Sequence, residues 1–260
     1  MTFRVRREEV LDGDQLKSML EESPARAAQA ILIAARESVL EAQALLGQIL
    51  LDGRGIAQDQ PLAVRWFEIA AQRGHLMARN MLGRCHEQGW GCSADASLAA
   101  AHYRLAADAG LDWAMYNYAN LLATGRGVPE DQVLALALYQ RAAELGHAKS
   151  MNLLGRYLEE GRFCRSDAAA AYDWYRRSAE AGDFRGQFSH AALLARDGKI
   201  DEALQWLHRA FAVGSLSFLR VGSRALLQAP DPRIQELGHL YRQRAEQMCH
   251  GGGPDPHVKA

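Results

Sequence analysis

Residues 74–110 read GHLMARNMLGRCHEQGWGCSADASLAAAHYRLAADAG. The stretch opens and closes on glycine, has a Gly-Trp-Gly at 89–91, and sets Asp95 just before an alanine-rich run. The same pattern returns every 36 residues on both sides. Gly74, Gly110, Gly146 and Gly182 share one column, and Gly53, Gly89, Gly125 and Gly161 another. Asp59, Asp95, Asp131 and Asp167 form a third column, and Ala63, Ala99, Ala135 and Ala171 a fourth. Self-similarity at one fixed period is the signature of a repeat array, in which each unit packs on its neighbours. A fifth row follows with a shorter loop: Ala203, Ala210 and Gly214 stand 32 residues after Ala171, Ser178 and Gly182.

Each column has a physical task. A glycine closing an apolar-periodic stretch supplies the left-handed residue that stops a helix. The aspartates precede apolar-periodic runs, where a carboxylate accepts from an unpaired helix N–H, so they read as N-caps. Leu45, Leu46, Ile49 and Leu50 form one helical stripe, and Leu62, Trp66, Ile69 and Ala70 a second. Every row is therefore two helices. Gly47, Gly83, Ala119 and Gly155 fall inside the first helix. Glycine there costs about 1 kcal/mol against alanine, which implies a closely approaching neighbour. The aromatic residues Trp66, Tyr103, Tyr139 and Trp174 lie on second helices and read as core.

As a set, these residues resemble the Sel-one-like repeat family, a relative of the tetratricopeptide repeat. The likeness is carried by Leu46-Gly47, Leu82-Gly83 and Leu154-Gly155, by Gly53-Arg-Gly55, Gly89-Trp-Gly91 and Gly125-Arg-Gly127, and by the aspartate and alanine columns over about residues 39–214. Three rows depart from it: Tyr118-Ala119 replaces Leu-Gly, Phe163 replaces a loop glycine, and row five lacks the long loop. The resemblance implies an all-α, right-handed αα superhelix (solenoid) of about five repeats that acts as a scaffold or adaptor. The expected domains are capping helices with a degraded repeat at 1–38, then an array of rows at 39–74, 75–110, 111–146, 147–182 and 183–214. A helical pair at 215–248 and a tail at 249–260 complete them. Helices are predicted near Arg7 to Glu21, from Pro24 to Glu37, from Ser217 to Gln228 and from Arg233 to Gln247.

In such solenoids the first helix of each row lines the concave face, as the resemblance implies. Positions on it that turn away from the apolar stripe are Ala44, Gln48 and Leu51 in row one and Phe188, Ala192 and Ala195 in row five. Between them the middle rows place Asn80, Arg84, Tyr116, Asn120, Asn152 and Arg156. Asparagine both donates to and accepts from a peptide backbone, and arginine grips a carboxylate with two parallel bonds. The expected ligand is a protein or peptide carrying an acidic group or a C-terminal carboxylate, held at micromolar affinity. The bland alternative is a solvated face with local pairs, Arg84 with Glu87 and Arg156 with Glu159.

Composition narrows the rest. The chain has 260 residues, 30 basic and 31 acidic, for a formal charge of −1. That balance lacks the basic excess of a general nucleic-acid or membrane-surface binder. No apolar run approaches the 18 residues of a membrane span, and the start has no signal-like apolar region. Four irregularly placed cysteines argue against a disulfide framework. These points make a bacterial-type cytoplasm the expected compartment. Cys85, His86, Cys92 and His102 lack metal-site spacing. No histidine column pairs with a cysteine or serine. The glycine loops lack the strand that a phosphate loop follows. Neither catalysis, cofactor nor metal is expected. A structural subunit assembling through its convex face or terminal helices is the alternative function, and a regulator or enzyme with a small ligand the remote one.

Overall fold

The structure is a computed structural model that describes residues 21–250. The chain divides into two compact units, residues 1–130 and 131–260. Among the described residues all regular structure is helical. The first unit holds α1 (Pro24–Arg36), α2 (Leu40–Asp52), α3 (Gln60–Gln72), α4 (Leu76–Gln88), α5 (Ala96–Asp108) and α6 (Asp112–Thr124). The second holds α7 (Gln132–Glu144), α8 (Ala148–Glu160), α9 (Ala168–Glu180), α10 (Phe184–Arg196), α11 (Ile200–Val213), α12 (Leu216–Leu226) and α13 (Pro232–His250). In the first unit each helix packs on the next, and α2 also touches α4. In the second, α7 to α11 pack in sequence, α12 pairs with α13, and α8 also touches α10. The helix predicted near Arg7 to Glu21 and the tail beyond 250 lie outside the described residues.

The aspartate column caps the second helices. Asp59 Oδ1 accepts from Leu62 N at 2.9 Å, Asp131 Oδ1 from Leu134 N at 2.9 Å and Asp167 Oδ1 from Ala170 N at 2.9 Å. Asp95 accepts from both Ser97 N and Leu98 N. Each cap contributes about 1 kcal/mol. Sequence reasoning missed four more caps: His75 Nδ1 accepts from Ala78 N at 3.0 Å, His147 Nδ1 from Ser150 N at 3.3 Å, Asp183 Oδ2 from Gly186 N at 2.8 Å and Ser215 Oγ from Phe218 N at 3.4 Å, opening α4, α8, α10 and α12.

The first helices α2, α4, α6 and α8 end on the expected left-handed glycines, Gly53, Gly89, Gly125 and Gly161. Among the described residues two other than glycine take positive φ, and both sit in glycine columns: Ser38 at 65° and Phe163 at 60°. The column thus sets the backbone even where the residue departs from it.

Mid-helix glycines face an aromatic ring of the second helix in the same row. A Cβ on Gly47 would stand 2.6 Å from Phe67, one on Gly83 2.5 Å from Tyr103, and one on Gly155 2.8 Å from Tyr175. These rings are buried, which explains the missing side chains. Two expectations need correction. The buried stripe of α3 is Ala63, Val64, Phe67, Ala70 and Ala71, while Leu62 and Ile69 are exposed and Trp66 is half-buried. Tyr103 and Tyr139 are core as expected, but Trp66 and Trp174 are half-buried, and the core aromatic of their rows is the next residue, Phe67 and Tyr175. Alanines lead the stripe because small side chains let successive helices approach, and one large ring per row fills the remaining space.

Candidate functional site

In the first unit the candidate residues stand on α4 and α6. Asn80, expected to project from the core, is 2% exposed. Its side-chain oxygen accepts from Asn117 Nδ2 at 2.9 Å, which ties α4 to α6. Arg84, one turn on, is half-buried, and its guanidinium lies 5.1 Å from the centre of the Trp90 ring. Its Nη1 lies 4.0 Å from Met81 Sδ, and a guanidinium stacked on an indole can still use its edge N–H groups as donors. Tyr116 and Asn120 occupy the equivalent places on α6, both half-buried. Of the row-one equivalents, Leu51 proves to be core.

In the second unit the same arrangement recurs. Asn152 is buried, and its side-chain oxygen accepts from Ser189 Oγ at 2.9 Å, tying α8 to α10. Arg156 is exposed, and its Nε lies 4.0 Å from Glu160. The asparagines are therefore rivets between successive first helices. The sequence did carry the signal: Asn80 and Asn117, like Asn152 and Ser189, are 37 residues apart. At the same offset the apolar Met81 follows Ala44, where no polar partner is needed.

The local pairs weighed for the arginines do not form, for a reason the aromatic column supplies. Glu87 accepts from Tyr103 OH at 2.6 Å and pairs with Arg126. Glu159 accepts from Tyr175 OH at 2.8 Å and lies 4.0 Å from Arg196. Each carboxylate thus closes the ring pocket of its own row, and burial with a carboxylate acceptor pushes the Tyr175 phenol upward. Neither Arg84 nor Arg156 pairs with these acids; Arg156 instead has Glu160 at 4.0 Å.

The rival sites hold little chemistry. Cys92 Sγ lies 3.5 Å from His86 Nδ1, and the His86 and His102 rings stack 5.5 Å apart. Cys85 is fully buried, which pushes its thiol up to about 12, away from thiolate chemistry. Among the described residues no three His, Cys, Asp or Glu side chains are arranged to hold a metal. Among them too, no helix is long and apolar enough to cross a membrane.

One loop feature recurs in the first unit. The second loop glycine of each row lies on the opening turn of the preceding second helix. A Cβ on Gly55 would stand 2.1 Å from the Pro24 carbonyl oxygen, one on Gly91 2.3 Å from the Gln60 carbonyl, and one on Gly127 2.3 Å from Ala96. In the first unit row is locked to row through backbone contact, at the 36-residue spacing of the repeat. The Sel1 repeat family model matches residues 40–75, 76–111, 114–147, 148–183 and 194–215. The chain belongs to the Sel1 repeat family.

Solved structures agree on the fold. A Sel1 repeat protein from Oxalobacter formigenes is similar at 22% identity, with a TM-score of 0.75, over 91% of this chain and 100% of that one. A second, c5321, is described as a protective antigen present in uropathogenic Escherichia coli strains displaying an SLR fold. It is 22% identical, with a TM-score of 0.66, over 90% of this chain and 52% of that one. No curated protein matches the chain. This Sel1-repeat chain is thus an all-α solenoid of about five repeats, a fold that commonly serves protein interaction.

His190 on α10 makes a testable contribution within the second unit. It is buried against Tyr172 and Trp206, ring centres 5.2 and 5.7 Å away, and its Nδ1 has no partner. Burial holds the imidazole below its ordinary range; Arg176 and Lys199 add to this, and Glu180 and Glu202 oppose it. The unfolded chain therefore takes up the proton more readily than the folded one. The stability from neutral His190 is present above the unfolded value of about 6.5 and is lost as pH falls below it. Thermal melts should show a fall in Tm from pH 7.5 to 5.5 that is smaller in His190→Gln than in the wild type. An equal fall in both would rule this source out.

Proposed function

We propose that this protein is an interaction scaffold whose first-helix faces hold an extended peptide with an acidic residue or C-terminal carboxylate. The reading is carried by the two equivalent arginines. Arg84 is braced on Trp90, Arg156 is exposed, and the neighbouring Glu87 and Glu159 are already engaged by tyrosine hydroxyls. With the Trp90 stack and the 4.0 Å Glu160 contact to hold them, these guanidiniums can take an external carboxylate, which supports the reading. Asn80 and Asn152 act by fixing the spacing of the first helices, and Tyr116 and Asn120 stand beside Arg84's row as peptide contacts. The chain is read as a non-enzymatic platform. The cytoplasm is its proposed compartment, supported by four cysteines that are all free thiols.

A photo-crosslinking amino acid placed at Tyr116, on a first helix, should trap the partner. The same group at Leu105, on a second helix and 49% exposed, should not. Crosslinks from Leu105 alone would move the site to the second-helix face.

A further inference from the structure

The second unit contains a cavity of about 550 Å³ with a mainly apolar lining. Its floor is Ile200, Leu207, Leu226 and Ile234, and one wall carries Phe188, Ala192 and Ala195 of the first helix α10. That wall is the row-five continuation of the face that bears Asn152 and Arg156 on α8, and the two helices are tied by the Asn152–Ser189 bond. The cavity has a cause in the sequence. In the first unit the long loops cover the opening turn of the preceding second helix and press an apolar residue onto the core. Val128 packs with Ala99, Ala100 and Tyr103, and Ile56 joins the core formed by the first rows. The last hairpin is truncated: α12 has 11 residues where α10 has 13, and residues 227–231 replace the longer connection seen at 53–59. Ile200, which opens α11, therefore lines open space.

The charge at the mouth is equally specific. Asp231 is already held by Arg233, with a 3.2 Å ion pair and a bond from the Arg233 backbone N–H at 2.8 Å. Arg196 is 66% exposed, and its contact with Glu159 is stretched to 4.0 Å. The mouth thus presents a cation beside an apolar hole.

We propose that this cavity takes one bulky aliphatic or aromatic side chain of the partner peptide, in the place a loop residue such as Val128 fills elsewhere, with an adjacent acidic group on Arg196. This rests on the peptide-binding reading and adds a specificity to it: an acidic residue within a few positions of a large apolar one. Pockets of this size and lining bind groups of that kind.

The test uses the full chain and a library of nine-residue peptides with a fixed central aspartate. Wild type should enrich Ile, Leu, Met or Phe within three positions of the aspartate about five-fold or more. Ala192→Trp, an exposed helical position, should erase the apolar preference while leaving residual acid-dependent binding. Arg196→Gln should weaken binding of the selected peptides by about ten-fold, the loss of one charge-assisted bond. A second probe, 8-anilinonaphthalene-1-sulfonate, joins an apolar body to an anion. It should bind wild type at one saturable site and fail to bind Ala192→Trp, and circular dichroism should show both variants folded. Unchanged apolar selection by Ala192→Trp would overturn the pocket, while peptide binding that still depends on Arg156 would leave the broader reading standing. Absence of any peptide selection would overturn both. An occupant from the molecule itself would overturn the pocket proposal alone. Tighter probe binding in Val258→Asp would assign the cavity to the chain's own tail, and a dimer in sedimentation that Ala192→Trp dissolves would assign it to a second copy.

Discussion

Gly91→Ala should destabilise the protein by about 3 kcal/mol or more, whereas Gly110→Ala should cost about 1 kcal/mol. Both glycines have left-handed backbones, with φ of 70° and 98°. A side chain at either pays the same kind of local strain, roughly 1–2 kcal/mol. They differ in what lies beyond the Cβ. At Gly110 nothing stands within 4 Å. At Gly91 the new carbon would sit 2.3 Å from the carbonyl carbon and oxygen of Gln60, with Pro61 N at 2.6 Å. Backbone cannot swing aside as the end of a long side chain does, so the loop must lift from the helix it covers. Urea melts of the two variants beside wild type measure the gap. Phe163 shows that a large residue tolerates positive φ in a glycine column, so the excess at Gly91 belongs to the close approach. Equal costs at the two positions would mean that the loops do not lock row to row.

The second large effect concerns binding. Arg84→Ala combined with Arg156→Ala should weaken the partner complex by roughly 100-fold or more. Each charge-assisted hydrogen bond contributes about 1.5–3 kcal/mol, and two at the lower figure already reach that factor. Folding should change little. Arg84 gives up a partly exposed cation–π contact worth about 0.5–1 kcal/mol. Arg156 gives up an exposed ion pair at the outer limit of contact, which contributes little. Binding and stability should therefore separate cleanly in this variant.

Much of the architecture was legible in the residues, because a repeat prints each structural demand several times. Aspartates before apolar runs became caps, and glycines after them became left-handed stops. The second-helix stripe was misplaced by one position. There Leu62, Trp66 and Ile69 look more apolar than the alanines beside them, but the spacing between helices selects the smallest residues for the contact. The site was legible only in part. Asn80 and Asn152 were expected to turn away from the core, yet both are buried, because each bonds a partner 37 residues away that a single-row reading does not reveal. Likewise Glu87 and Glu159 looked like neighbours for arginine. Their tyrosine partners, 16 residues later, emerge only when both helices of the hairpin are placed together. The apolar cavity beside α10 was the least visible feature, since it arises from residues that the last hairpin lacks.

The measurement that bears most directly on the scaffold reading is affinity capture from native lysate with wild type beside the Arg84→Ala, Arg156→Ala double variant. Mass spectrometry would identify what each retains, and a thermal melt would accompany each sample. The account predicts a partner held by wild type and lost by the double variant, with the two proteins melting at closely similar temperatures. A partner held equally by both would contradict it and place the interaction on another face of the Sel1 repeats.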